Sequence, residues 1–181
     1  SIDRVLVGCL MGTKGIALLE LGTKIPVSAL TIPSTISNVT FPAAARHLAN
    51  DDHDAVHQLY LQSTRAVAIC AAFPLAFMVA MSFPLGVAWL GHKEELSLFP
   101  TIMSLTALWC HLHITTGPGT AVFRAMGIVS NEFLYHGLRL GGILLVLSAC
   151  LLIGGVHIQS FVFGIAGGNA LASTTYMVLN L

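Results

Sequence analysis

Four charged residues in otherwise apolar stretches are the main candidates for chemistry in this sequence: Asp3, Arg4, Glu20 and Lys24. A charge at the centre of a membrane span costs about 2.5–3.5 kcal/mol on insertion scales, so it tends to face protein or water. Glu20 and Lys24 lie four residues apart with the acid first, the favourable order for a side-chain pair on one helix face. Lys24, close to Pro26, is predicted to line a cavity; alternatively, both charges snorkel to the headgroups or neutralise each other.

Asp3 and Arg4 have two possible positions. If their helix continues upstream of the chain, they lie near the middle of the membrane, and if it does not, they are interfacial charges. The histidines favour structure over chemistry. His111 and His113 are about 200° apart on a helix, which suits hydrogen-bonded packing better than joint metal ligation. The sequence has none of the nucleophile, zinc-protease, phosphate-loop or dinucleotide motifs, so we expect a protein that is not an enzyme and needs no cofactor or metal.

The composition fixes the class of protein. Hydrophobic residues make up 55% of the 181 residues, charged residues only 9%, and the mean hydropathy is +0.83, against about 25% charge in ordinary soluble domains. Eight basic and eight acidic residues cancel, which argues against nucleic acid as a partner. The sequence therefore predicts an all-α membrane protein. Because it opens inside an apolar run, we expect an internal piece of a longer chain.

About six membrane spans, in a single transmembrane domain over residues 1–181, are predicted from apolar segments of roughly 20 residues. They cover residues 2–11 (half a span), 15–45, 66–90, 96–116, 133–153 and 158–179. The second is predicted to be kinked and interior because it carries Pro26, Pro33 and Pro42. Residues 46–65 are predicted to form an amphipathic connector on the membrane surface, with helix-capping chemistry at Asn50-Asp51-Asp52.

The connector is assigned to the cytoplasmic side from the distribution of basic residues. One set of loops holds Arg46, Arg65, Arg124 and Arg139, and the other holds Lys14 and Lys93. Pairs of small residues in the apolar segments predict close helix contacts. These pairs are Gly8/Gly12, Gly137/Gly141 and Gly164/Gly168.

Several runs together resemble a known family. They are residues 2–8 (IDRVLVG), 19–26 (LELGTKIP), 39–46 (VTFPAAAR), Phe73-Pro74-Leu75, Leu90-Gly91, and Gly117-Pro118-Gly119 followed by residues 123–127 (FRAMG). In this order they resemble the second half of bacterial polysaccharide (O-antigen) flippases, members of the multidrug/oligosaccharidyl-lipid/polysaccharide exporter superfamily. The resemblance extends to about residue 140.

The resemblance implies half of a two-bundle fold around a central cavity, in a multi-pass protein of the bacterial inner membrane. Such proteins move an undecaprenyl-pyrophosphate-linked oligosaccharide between leaflets by alternating access, for polysaccharide and lipopolysaccharide biosynthesis. The implied partners are this cargo, membrane lipids and the missing N-terminal bundle. Lys24 matches a basic cavity position, Arg4 is a possible second clamp, and Asp3 and Glu20 would set its field. The alternatives are a cation-coupled multidrug antiporter, with Asp3 or Glu20 exchanging protons or sodium, and a scaffold subunit of a glycan-assembly complex.

Overall fold

The computed structural model describes residues 2–91, 97–128, 130–154, 164, 167–168 and 170–175. It contains seven helices in this part of the chain and no strand. They are α1 (Ile2–Ala29), α2 (Thr31–Ala49), α3 (His53–Ala80), α4 (Ser82–Leu90), α5 (Phe99–Thr115), α6 (Gly117–Ala125) and α7 (Ser130–Gly154). Residues 170–175 add a further short helical segment. The predicted all-α class is therefore confirmed for the described residues.

Three of the helix breaks lie just before a proline. Proline lacks the backbone N–H that would bond the carbonyl four residues earlier, and its ring crowds that carbonyl. Pro33 therefore frees the carbonyl of Ala29, next to the break between α1 and α2, where the two helices meet at 50°. Pro84 stands in the same relation to the break after α3, and Pro118 is the second residue of α6, directly after the break that follows α5. The predicted kink in residues 15–45 is thus confirmed, at the residues before Pro33.

The core consists of contacts between helices that are distant in sequence. α1 packs on α5 through Leu18, Leu19, Phe99, Ile102 and Met103. α3 packs on the middle of α5, and α2, α3 and α6 meet around Ala44, Val56 and Val122. A buried hydrogen bond of 3.1 Å joins the hydroxyls of Thr40 in α2 and Ser63 in α3. These contacts fix which face of the α1–α2 pair is left open.

The predicted set of spans is supported in part. Within the described residues, α3 is long and apolar enough to cross a membrane by itself, and the bent pair Ile16–Ala29 and Thr31–Ala49 qualifies if it forms one broken span. Only 22% of the most apolar 18-residue window of α3 is buried, whereas the core helix of a soluble protein is mostly buried. α5 and α7 cover most of the predicted spans 96–116 and 133–153. Most of the predicted span 158–179 lies outside the described residues.

The predicted connector over residues 46–65 is not a separate element. α2 runs on to Ala49, and α3 begins at His53 and continues without a break through the polar stretch into the apolar one. The capping prediction is confirmed, because the Asp52 side chain accepts a hydrogen bond of 3.1 Å from the backbone N–H of Ala55. No helix-breaking residue stands between His53 and Arg65, so the change in polarity there alters the environment of the helix and leaves its backbone unbroken.

Among the glycines that the structure describes, Gly168 allows the closest helix contact, between α7 and its own segment. A Cβ on Gly168 would collide with the backbone of Gly142 and Ile143, so only glycine permits this approach. The predicted contribution of Gly168 is confirmed. At Gly137 and Gly141 a Cβ would meet nothing within 4 Å in the described part of the chain, and the contact with Gly168 is made by Gly142.

Candidate functional site

Two of the four predicted site residues lie on the open face of α1. Lys24 is exposed and Glu20 is partly buried, one helical turn apart on the side of α1 that faces away from the α1–α5 core. The ion pairs found in the described part of the chain do not include Lys24, whereas Glu20 does have an interaction partner. The side chains of Asp3 and Arg4 lie outside the described part of the structure.

Lys24 belongs to a longer row of polar side chains that crosses the bend between α1 and α2. This row, called the polar stripe below, contains Glu20, Lys24, Ser28, Thr31, Thr35 and Asn38. Its members recur at intervals of three or four residues, the spacing that keeps side chains on one helix face. All are exposed except Glu20, which is partly buried. The stripe therefore runs along a face that no other described helix covers.

Hydroxyl-to-carbonyl hydrogen bonds make the polar stripe continuous across the bend. Ser28 donates to the carbonyl of Ile25 at 2.7 Å, and Thr31 donates to the carbonyl of Ser28 at 2.8 Å. Thr35 donates in turn to the carbonyl of Thr31 at 3.1 Å. Because each O–H bonds the turn before it, the hydroxyl oxygens keep their lone pairs free as acceptors. The stripe thus presents acceptors from these residues and one ammonium group.

The open face of α3 carries no such polar row in the second half of the helix. Ile69, Phe73 and Phe77 are 73%, 81% and 57% exposed and form an apolar surface on the second half of this helix. A helix that meets lipid presents such side chains outward, whereas unsatisfied polar groups are costly there. The open face of α3 therefore suits lipid. The exposed surface of α1 and α2 is mixed, because Val27, Ile32 and Val39 are exposed beside the polar stripe, and its charged and amide groups suit water or further protein.

A second polar cluster, which the sequence analysis did not assemble, joins α5 to α7 and to residues 170–175. Nδ1 of His113 lies 2.6 Å from the hydroxyl of Tyr135, which lies 3.3 Å from the hydroxyl of Ser173. The rings of Trp109 and Tyr135 stack on His113 from α5 and α7, and the guanidinium of Arg139 lies 5.6 Å from the centre of the Trp109 ring. The prediction of hydrogen-bonded packing is confirmed for His113, but nothing in the local pattern identified its partners.

Comparison with known families decides the identity of the chain. Residues 1–93, just over half of its 181 residues, match the model of a family described as polysaccharide biosynthesis protein. The chain belongs to this family. Its members act in the synthesis or transport of polysaccharides and are typically transporters, in agreement with the apolar, all-helical structure. No curated protein and no solved structure matches the chain.

The family match covers the polar stripe and stops before α5. It includes α1 to α4 and therefore Glu20, Lys24 and the bend before Pro33. The cluster around His113 lies wholly outside the matched residues. The match to the polysaccharide biosynthesis family therefore covers the half of the chain that carries the polar stripe. It gives no information about the second cluster.

Proposed function

We propose that this polysaccharide biosynthesis protein is a flippase that moves a lipid-linked oligosaccharide, of the undecaprenyl-pyrophosphate type, across the bacterial inner membrane by alternating access. The observation that carries the proposal is the polar stripe on a bent pair of helices. It lies in the part of the chain that matches the family, and its exposed Lys24 ammonium and Asn38 amide would be unfavourable against lipid. The proposed activity is transport, without chemical change of the cargo.

The polar stripe is suited to line a route for a cargo with both sugar and phosphate groups. Sugar hydroxyls are hydrogen-bond donors, and the oxygens of Ser28, Thr31 and Thr35 offer acceptors along the stripe. Such contacts are individually weak, because each exchanges one hydrogen bond to water for another. A surface with such weak contacts allows an oligosaccharide to move along it without being bound tightly.

Lys24 is the proposed contact for the pyrophosphate. A pyrophosphate that leaves bulk water needs a counter-charge, and a lysine ammonium provides a compact one with rotatable donors. The Lys24 side chain is exposed, so its ammonium group is accessible to a ligand from this face of α1. Glu20, one turn away, and Asp3 are proposed to set the local field, and Arg4 is proposed as a second clamp on the pyrophosphate. The described residues do not enclose Lys24, so its cavity would be completed by the second bundle.

Replacing Lys24 by alanine in the complete protein tests this role. Hydrogen bonds to charged groups contribute about 1.5–3 kcal/mol, so the variant should bind and export the cargo about 10- to 100-fold less well. Lys24→Arg keeps the charge and should retain most of the export. Arg65→Ala, which removes an exposed cation outside the stripe, is the matched control and should behave as wild type. The measurement is the amount of lipid-linked sugar that remains facing the cytoplasm, at equal protein levels in the membrane.

Each other outcome favours a different function. Normal export by Lys24→Ala would remove this residue from the site. Loss of drug resistance in Glu20→Gln, with normal export of lipid-linked sugar, would favour the cation-coupled multidrug antiporter. Normal function after replacement of every intramembrane charge would favour the scaffold subunit.

The exposure of the stripe to water can be tested independently of the cargo. In a variant without its native cysteines, Thr35→Cys should react with a membrane-impermeant maleimide, and Phe73→Cys on the apolar face of α3 should not. Equal reactivity at the two positions would mean that the stripe does not border a water-filled route, and the proposal would lose its main support.

A further inference from the structure

A cavity of about 190 Å³ lies between α6 and the first two turns of α3. The α3 side supplies two imidazoles and a phenol, and the α6 side supplies apolar groups. The lining residues are His53, Val56, His57 and Tyr60 from α3, with Gly119, Val122, Phe123 and Met126 from α6 and its C-cap. Because each set recurs at intervals of three or four residues, one face of each helix forms one wall.

A closely packed floor holds the two walls of the cavity in place. Val56 is 2% exposed and Val122 is 6% exposed, and both pack in one cluster with Ala44 of α2. Tyr60 is partly buried against the same cluster, whereas His57 is exposed. The cavity therefore has an apolar floor and a polar mouth that is open to the surroundings.

The position of the cavity along α3 places it at the surface of the membrane. The second half of α3 carries the exposed apolar residues described above, whereas its first turns carry Asp54, His57 and Gln58. A helix with this division leaves the hydrocarbon on the His53 side of its apolar stretch, so the cavity lies at the level of the phospholipid headgroups. Aromatic side chains with a polar atom, as in Tyr60, are favoured at this level.

The carboxylates at the start of α3 are engaged elsewhere or lie to one side of the cavity. Oδ1 of Asp51 is 3.1 Å from Nε2 of His53, and the Asp52 side chain accepts a hydrogen bond from the backbone N–H of Ala55. Asp54 lies about 100° around the helix from His53, off the face that lines the cavity. The mouth of the cavity can therefore accept an anionic group.

The two walls combine donors for a phosphate with a surface for hydrocarbon. The imidazole of His57 and the hydroxyl of Tyr60 lie one helical turn apart on the cavity face, and each carries a hydrogen-bond donor. Hydrogen bonds from such donors to an ionised phosphate are stronger than those to a neutral acceptor. On the other wall Met126 is 42% exposed beside Phe123, so a hydrocarbon chain that covers them would remove apolar surface from water. A ligand with both parts therefore fits the cavity better than either part alone.

We propose that this cavity binds one phospholipid of the membrane, with the phosphodiester of its headgroup at His57 and Tyr60 and the beginning of an acyl chain against Phe123 and Met126. The bound lipid would contact both walls and so bridge α3 and α6. It would stabilise the packing of α6 against α3, because the cavity exists only when the two helices are packed together. The site requires that α3 enters the membrane and is independent of the cargo that the protein moves.

The test follows thermal unfolding of the complete protein in detergent, with the short-chain phospholipid dihexanoyl-phosphatidylglycerol as the probe. The probe should raise the melting temperature of wild type, because a ligand that binds only the folded state stabilises it. His57→Ala and Tyr60→Phe should each weaken the apparent affinity by about ten-fold or more, measured from the probe concentration that gives a fixed rise in melting temperature. His47→Ala is the matched control, because it removes an imidazole at the end of α2 that does not line the cavity, and it should behave as wild type.

Each other result would overturn the phospholipid site. No rise in the melting temperature of wild type would show that the probe does not bind, and wild-type affinity in His57→Ala or Tyr60→Phe would show that it binds outside the cavity. Equal stabilisation by glycerol phosphate would mean a site for a free phosphate compound, and equal stabilisation by dihexanoylglycerol, which lacks the phosphate, would mean a purely apolar contact. Melts without the probe show whether each variant is folded. If His57→Ala does not fold, Tyr60→Phe decides, because it keeps the ring that packs beside Val56.

Discussion

The contact between α1 and α5 at Gly22 determines how the polar stripe is oriented, and it offers a test by mutation. A Cβ on Gly22 would lie 2.6 Å from Cγ2 of Ile102 and 3.1 Å from its Cβ. Ordinary carbon contacts are about 3.5–4.0 Å. Isoleucine is strongly restricted to one rotamer in a helix, so Ile102 cannot swing away. Gly22→Ala must therefore push α1 and α5 apart by about 1 Å.

Two opposing effects set the size of the change in stability. Overpacking costs about 1–3 kcal/mol, and alanine gains about 1 kcal/mol over glycine in a helix interior. The net effect is a destabilisation of up to about 2 kcal/mol, which lowers the melting temperature by about 2–4 °C per kcal/mol for a chain of this size. Ile102→Ala removes the methyl group at 2.6 Å and keeps only the 3.1 Å contact with Cβ, so most of the added cost of Gly22→Ala should be absent from the double variant. The expected coupling energy between the two substitutions is about 1–3 kcal/mol.

The assay is thermal unfolding in detergent, followed by far-ultraviolet circular dichroism, for wild type, both single variants and the double variant. Gly137→Ala in α7 is the control: its Cβ would meet no described residue within 4 Å, so it should gain the helix propensity of alanine without a steric cost. If Gly22→Ala is as stable as wild type and its effect adds to that of Ile102→Ala, the reasoning from the close contact is refuted.

Three further predictions follow from contacts in α2 and α3. Asp52→Ala removes the cap of α3 and should cost about 1 kcal/mol in unfolding free energy, whereas Asp54→Ala, in the first turn but not the cap, should cost less. A double-mutant cycle of Thr40→Val and Ser63→Ala should give a coupling of about 0.6 kcal/mol, the average for hydrogen bonds between membrane helices; a coupling of zero would mean that the bond adds no stability. Phe73→Lys should lower membrane insertion by about 2.5–3.5 kcal/mol, measured as the inserted fraction, and equal insertion of wild type and variant would contradict a lipid-facing α3.

Local signals in the sequence predicted the ends of helices better than their bends. The acidic turn before His53 identified the start of α3, because an N-cap needs only residues that are adjacent in sequence. Prolines gave a weaker signal. Pro26, Pro42 and Pro74 lie inside continuous helices, whereas Pro33, Pro84 and Pro118 adjoin breaks. All six remove the same hydrogen bond, so the packing of neighbouring helices decides which of them separates two helices.

The candidate site was predictable only where it depends on helix periodicity. Glu20 and Lys24 share a face because of their spacing, which any helix would give them. The group of His113, Tyr135 and Ser173 required two helix contacts between residues 22 and 38 positions apart, and no local pattern specifies such contacts. The predicted end of the connector at Arg65 is not the end of a helix, for a related reason. A change of polarity along a helix indicates where the helix passes between water and lipid, and it does not indicate where the helical backbone ends.

The length of α3 has a mechanical consequence. Its 28 residues extend about 42 Å at 1.5 Å per residue, against about 30 Å for the hydrocarbon core of a bilayer. Because the apolar half of α3 is its second half, the excess of about 12 Å lies at the His53 end, beside the end of α2. The adjoining ends of the two helices, which are joined by the hydrogen bond between the Thr40 and Ser63 hydroxyls, would project from the bilayer as a rigid pair. A force on the projecting ends would tilt α2, and the polar stripe, part of which lies on α2, would turn with it.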